Sequence, residues 1–138
     1  MECKKTVPAT IDNLPSVLQW AHAVLFQTNY SIGELTQIEV AIEEMMMNII
    51  SYDYDDHHGN VEVSIHISSD HISIILIDYG KPFDPTKYQK PNLDLAIEER
   101  KVGGLGIHLS LEIMDAIDYK RINNQNILTM TKNFLSCQ

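Results

Sequence analysis

Three short groups of residues carry the chemistry in this chain. Glu44 and Asn48 stand four apart in an apolar stretch, Asp78 and Gly80 end a second one, and Gly103, Gly104 and Gly106 open a third around Leu105. Residues at i and i+4 share one face of a helix, so Glu44 and Asn48 present a carboxylate and a neutral amide side by side. An amide oxygen is a suitable ligand for Mg²⁺, which takes few protein groups and fills the rest of its shell with substrate phosphates and water. A carboxylate one turn away can orient or deprotonate an attacking hydroxyl. At the end of a strand, the Asp78 carboxylate can accept from an exocyclic amino group such as that of adenine, and Gly80 lets the backbone approach a flat ring. Glycines ahead of a helix let backbone N–H groups face an anion, and Arg100 and Lys101 just before them can add charge beside a phosphate. Each group also has a plainer reading: a polar helix edge, an ordinary Asp-Tyr-Gly turn, a flexible helix start, a solvated basic pair. Their order within one short domain is the sharper signal, and it predicts a nucleotide site for Mg-ATP.

The elements that must position these groups follow from periodicity. Asp12 or Asn13 caps a first helix, Pro15 fits its first turn, and Leu14, Val17, Leu18, Ala21, Leu25 and Phe26 form an apolar stripe through about Gln27. Trp20 and Phe26 read as core residues of that helix. Ser31 and Glu34 make a capping-box pattern ahead of Leu35, Ile38, Ala41, Ile42, Met45, Met46, Ile49 and Ile50, a central helix. A first strand is expected over Lys4 to Val7. Val61 to Ile67 alternates cleanly, and Ile72 to Ile77 is apolar enough for a central strand. The proline-bearing segment 81–102 is long for a connection, which marks it as functional, with one short helix from Leu93 to Arg100. Leu105 to Met114 reads as a helix, and Ile117–Ile122 with Ile127–Lys132 reads as a closing hairpin around Asn123-Asn124-Gln125. The sum is α+β: one mixed β-sheet covered on one face by about three helices.

Composition bounds the partners. The chain has 138 residues, 44% hydrophobic and 21% charged, which suits one folded domain spanning 1–138. A formal net charge of −9, with no basic block longer than Lys4-Lys5, argues against nucleic acid and anionic membranes and favours a basic protein surface or a metal-chelated nucleotide. No apolar run reaches the ~20 residues of a membrane span, and the first residues lack the apolar core of a signal peptide. Cys3 and Cys137 read as free thiols in a reducing cytoplasm. His57-His58 with Asp53, Asp55 and Asp56 fits no zinc spacing and reads as a solvated loop. Met45-Met46-Met47 reads as core filling, and His108 as a packing or surface residue.

These motifs resemble the GHKL (Bergerat-fold) ATPases, most closely the anti-sigma factor serine kinases of the RsbW type, over roughly Ile32 to Lys132. Glu44-x-x-x-Asn48 resembles the N box. Asp78-Tyr79-Gly80 with Lys81-Pro82-Phe83-Asp84-Pro85 resembles the first glycine box, and Gly103-Gly104-Leu105-Gly106-Ile107 the second, followed by Met114-Asp115. The resemblance implies that Asn48 coordinates Mg²⁺, Glu44 is the general base, Asp78 reads the adenine amino group, residues 103–106 hold phosphates, and 81–102 is an ATP lid. It also implies phosphorylation of a Ser or Thr on a small, STAS-type anti-sigma antagonist. A sigma factor is the second implied partner, and homodimers are frequent in the family. Two positions depart from the pattern. Ile49-Ile50-Ser51-Tyr52 follows the N box instead of Ala and a later His. Asn124-Gln125-Asn126 stands where a small Gly-Thr pair often helps hold adenine. The alternative from a different class is a nucleotide-gated binding module without phosphotransfer. A third is a detached catalytic domain acting on a histidine elsewhere.

Overall fold

The longest helix starts on a local instruction. Ser31 Oγ accepts the Glu34 backbone N–H and Glu34 Oε1 accepts that of Ser31, both at 3.1 Å, so the capping box is complete. In the computed structural model, which describes residues 1–28, 30–54, 59–87 and 104–134, this helix is α2 (Ile32–Asn48). It buries Leu35, Ile38, Ala41, Ile42, Met45, Met46 and Asn48. The next turn, Ile49–Asp53, winds wider as a π turn, a feature common at functional sites. Helix α1 (Leu14–Leu25) carries Pro15 in its first turn, where a missing N–H is harmless. Asn13 precedes it but caps nothing; its amide donates to Thr10 Oγ1 at 2.8 Å. The stripe Leu14, Val17, Ala21, Val24 and Leu25 is buried. Phe26 is not a core residue: the helix stops at Leu25, and the Phe26 side chain is 67% exposed, lying beside the His22 ring. Trp20 is partly buried against the core.

Strands β1 (Glu2–Pro8), β2 (Asn60–Ile67), β3 (His71–Asp78), β4 (Ala116–Ile122) and β5 (Gln125–Asn133) form one sheet in the order β1-β2-β3-β5-β4. The α+β class holds, with α3 (Gly104–Ile113) as the third helix. The sheet differs from the mixed one expected, because every pairing is antiparallel. Two pairings are forced by tight turns, which join only antiparallel neighbours. One is the turn at Ser69-Asp70. The other is Asn123-Asn124, with φ of 52° and 64°, a left-handed pair that Asn tolerates and that suits a two-residue hairpin. The remaining pairs, β1 with β2 and β3 with β5, are separated by helices, so no short turn dictates their direction.

Alternation along the strands sorts the faces. Val61, Val63 and Ile65 pair in register with Asp78, Leu76 and Ile74, which pair in turn with Asn126, Leu128 and Met130. All of these are buried and face the helices. At about 25 cal/mol per Å² of apolar surface removed from water, this layer and the buried stripes of α1 and α2 are the main stabilising contribution. A buried Asp and a buried Asn at the end of such a stripe break its apolar pattern. The opposite end is tied by Tyr30, whose hydroxyl donates to the Lys132 carbonyl at 2.5 Å and whose ring stacks on Phe134 at 4.5 Å. Burial, with Glu34 and Asp115 nearby, pushes the Tyr30 phenol upward, so it remains a donor at neutral pH.

Candidate functional site

The broken stripe opens into a small pocket between the end of α2 and strands β3, β4 and β5. Its lining is apolar at Met45, Ile49, Phe83, Pro85 and Leu128, with Asn48, Asp78, Tyr119 and Asn126 as the polar points. An apolar slot with a few convergent polar groups is the usual form of a small-molecule site.

Asp78 is the last residue of β3 and 1% exposed. Its Oδ1 accepts the Gly80 backbone N–H and the Asn126 amide, each at 2.9 Å. The turn that follows is held from outside. The Tyr79 N–H donates to the Tyr54 hydroxyl at 2.7 Å, and that hydroxyl donates to the Asn60 carbonyl at 2.7 Å. The Tyr54 ring lies so close to Gly59 that a Cβ there would stand 2.1 Å from a ring carbon, so only glycine fits. On the other side the Arg121 guanidinium donates to the Gly80 carbonyl at 2.6 Å. The carboxylate is thereby fixed at the pocket wall.

Asn48 is 4% exposed and lines the same pocket. Its amide nitrogen makes a weak bond to Met45 Sδ at 3.8 Å, while its Oδ1 is buried with no hydrogen-bond partner among the described residues. A buried acceptor left unpaired costs roughly 1–3 kcal/mol, and a bound water or ion is the usual partner of such an atom in a folded protein. A neutral oxygen of this kind fits the ligand chemistry of Mg²⁺. Glu44 lies one turn earlier on the same helix face. It is half-buried and does not line the pocket itself. Its carboxyl is held above the usual range, first by burial and then by the charge of Glu43.

The structure therefore brings Asn48 and Asp78 together around one pocket, with Glu44 a turn away and Gly80 in the turn beside it. Gly104, Leu105 and Gly106 form the first turn of α3, where backbone N–H groups lack intrahelical acceptors. Gly103 and Arg100 lie outside the described residues, as do Lys101, most of the expected lid, the helix expected over Leu93 to Arg100, and His57-His58. Tyr119 and Asn126 are functional candidates that the motifs do not mark. Asn126 was visible only as a departure from the Gly-Thr pattern; the signal for it is its cross-strand partnership with Asp78, which depends on register.

Comparison with known proteins assigns the family. The profile described as histidine kinase-like ATPase domain matches residues 7–132. The chain belongs to the histidine kinase-like ATPase domain family. Among relatives of this ATPase domain, the serine-protein kinase RsbW of Halalkalibacterium halodurans is 28% identical over 131 residues, covering 92% of this chain and 80% of that one. The serine/threonine-protein kinase BtrW of Bordetella bronchiseptica is 23% identical over 125 residues, covering 90% and 88%. An anti-sigma F factor from Thermoanaerobacter sp. is 29% identical over 108 residues, covering 77% and 75%. Among solved structures, the RsbU and RsbW domains of Rv1364c from Mycobacterium tuberculosis superpose with a TM-score of 0.68 at 16% identity. That match covers 96% of this ATPase domain and 32% of the larger chain, and it bears out the fold. The resemblance read from the motifs is borne out by the same family. Among the described residues, no helix is long and apolar enough to cross a membrane.

Proposed function

We propose that the chain is a cytoplasmic, ATP-dependent serine/threonine-protein kinase and anti-sigma factor. It binds Mg-ATP and phosphorylates a Ser or Thr on a small STAS-type anti-sigma antagonist, with a sigma factor as its second partner and a homodimer as its assembly. The observation that carries this reading is the buried Oδ1 of Asn48, unpartnered among the described residues, in the pocket that Asp78 lines. The relatives named as serine-protein kinases and anti-sigma factors support it, and a net charge of −9 suits a basic partner surface.

In this reading Met45, Ile49, Phe83 and Leu128 take the adenine ring, and Asp78 accepts from its amino group. The turn Gly104–Gly106 faces the phosphates, with Gly103 and Arg100 assigned beside it. Mg²⁺ supplies neutralisation of phosphate charge, and Asn48 Oδ1 is the chain's own ligand to it. Glu44 takes the proton from the attacking hydroxyl. A carboxyl held above its usual range is better matched to that task than an ordinary glutamate, which favours the enzyme over the pure binding module.

Two outcomes check this assignment. Asn48→Ala is expected to remove the tightening of ATP binding by Mg²⁺ while leaving metal-free binding within about threefold; calorimetry with and without Mg²⁺ reads it, and an undiminished metal effect eliminates Asn48 as the ligand. Glu43→Gln removes the second cause of the Glu44 shift, so the Glu44 carboxyl moves down. The base is active when ionised, so transfer rises with pH through the Glu44 titration. The acid limb of the single-turnover rate therefore shifts to lower pH in Glu43→Gln. It still lies above that of an ordinary glutamate, because burial remains. An unmoved limb excludes Glu44 as the titrating base.

A further inference from the structure

We propose that Tyr119 and Asn126 are positioning residues that make this pocket selective for adenine over oxo-purines, by fixing which oxygen of Asp78 faces the ligand. The proposal rests on the reading of Asp78 given above and adds residues that the motifs do not contain.

Asn126 is 3% exposed and sits opposite Asp78 in the β3–β5 register. Its amide nitrogen has two hydrogens, and both are used. One goes to Asp78 Oδ1 and the other to the Lys81 carbonyl, each at 2.9 Å. Turning the amide over would set its oxygen against two acceptors, so the orientation is dictated by the acceptors around it. The Asn126 oxygen must then face the other way, where the Tyr119 hydroxyl donates to it at 2.5 Å. The chain of donors runs Tyr119 to Asn126 to Asp78, and it ends on Oδ1, which also accepts the Gly80 N–H.

The consequence lies in the second oxygen. With both donors on Oδ1, Oδ2 takes part in neither bond and is the acceptor left to meet a ligand at the pocket wall. Adenine presents an amino donor on the edge that such an acceptor reads. Hypoxanthine and guanine present a carbonyl at the same position, so acceptor would meet acceptor. A site built to hydrogen-bond one group rejects the analogue that lacks it strongly, because the buried partner is left unpaired. If the Asp78 carboxylate were free to rotate, or if Asn126 reversed, that discrimination would weaken before binding itself was lost.

The test compares ATP with inosine triphosphate, both with Mg²⁺, on the full chain by calorimetry. Tyr119→Phe removes one hydroxyl and keeps the ring. Asn126→Leu removes the donor at similar volume, and Asn126→Thr restores a hydroxyl donor. The wild-type chain is expected to prefer ATP. Asn126→Leu is expected to lose roughly tenfold to a hundredfold in ATP affinity, the range for one hydrogen bond to a charged group, and Tyr119→Phe ~3–10-fold, the range for one neutral hydrogen bond, while inosine triphosphate affinity stays within about twofold. Asn126→Thr is expected to recover part of the preference. Equal losses for both nucleotides, or an undiminished preference in Tyr119→Phe and Asn126→Leu, overturns the proposal. Should Asn126→Leu fail to fold, Tyr119→Phe decides alone. Asp78→Asn in the same assay separates the two levels. A wild type that prefers ATP and an Asp78→Asn chain that does not, beside unaffected Tyr119 and Asn126 variants, defeats the positioning role only. A wild type without preference defeats the reading of Asp78 and this proposal with it.

Discussion

Alanine at Glu44 is expected to leave ATP affinity within about twofold and to slow phosphate transfer by ~10²–10⁴, the usual contribution of a positioned general base. The split follows from where Glu44 stands. It shares a helix face with Asn48 but does not line the pocket, so bound nucleotide does not depend on it. As the proposed base its carboxylate acts only as a hydroxyl attacks, and losing an interaction made only in the transition state lowers the rate without changing ground-state binding. Single-turnover transfer from γ-labelled ATP to a small antagonist protein measures one half, and calorimetry the other. A Glu44→Ala chain that transfers at the wild-type rate removes the base assignment. A wild type that transfers nothing to a verified partner leaves the nucleotide-gated binding module as the function. Acid stability of the product distinguishes phosphoserine from phosphohistidine.

Asparagine at Asp78 is expected to weaken ATP binding roughly tenfold to a hundredfold, from ~1.5–3 kcal/mol for a hydrogen bond to a charged group. The surrounding donors fix the sign. Oδ1 accepts from Gly80 and Asn126, so an asparagine keeps its oxygen there and turns its NH₂ toward the ligand. That NH₂ would face the amino group of adenine, donor against donor. The same group pairs with a carbonyl, so inosine triphosphate is expected to lose nothing. A thermal melt of the variant reports whether the fold is intact. Unchanged ATP affinity in an intact Asp78→Asn chain refutes the assignment.

What the sequence revealed depended on how local its cause was. Ser31 and Glu34 lie within one turn of each other, and the helix they start is where they place it. Asn123-Asn124 sits between two alternating strands, and the hairpin forms there. The Glu44–Asn48 spacing places both on one helix face because the helical period alone decides it. Features that depend on distant pairing were hidden. The role of Asn126 rests on β5 pairing with β3, and that register follows from tertiary packing. Likewise the Tyr119 hydroxyl reaches Asn126 only because β4 joins β5 at the sheet edge, beyond reach of any motif. The π turn after Asn48 has no sequence signature in Ile49-Ile50-Ser51-Tyr52, and the apolar stripe of α1 gave no sign that the helix ends before Phe26.

The pocket shares its walls with the core. Met45 and Leu128 are buried members of the hydrophobic cluster and also line the site, and Asn48 adds an amide oxygen without a hydrogen-bond partner among the described residues. A ligand that meets that oxygen and fills the slot thus completes the packing of the domain. By mass action, a ligand present at a hundred times its dissociation constant adds about 2.7 kcal/mol to the stability of the folded state, a large part of the margin of a small domain. On the function proposed above, the chain saturated with nucleotide is therefore expected to melt higher and to resist proteolysis longer than the same chain without it.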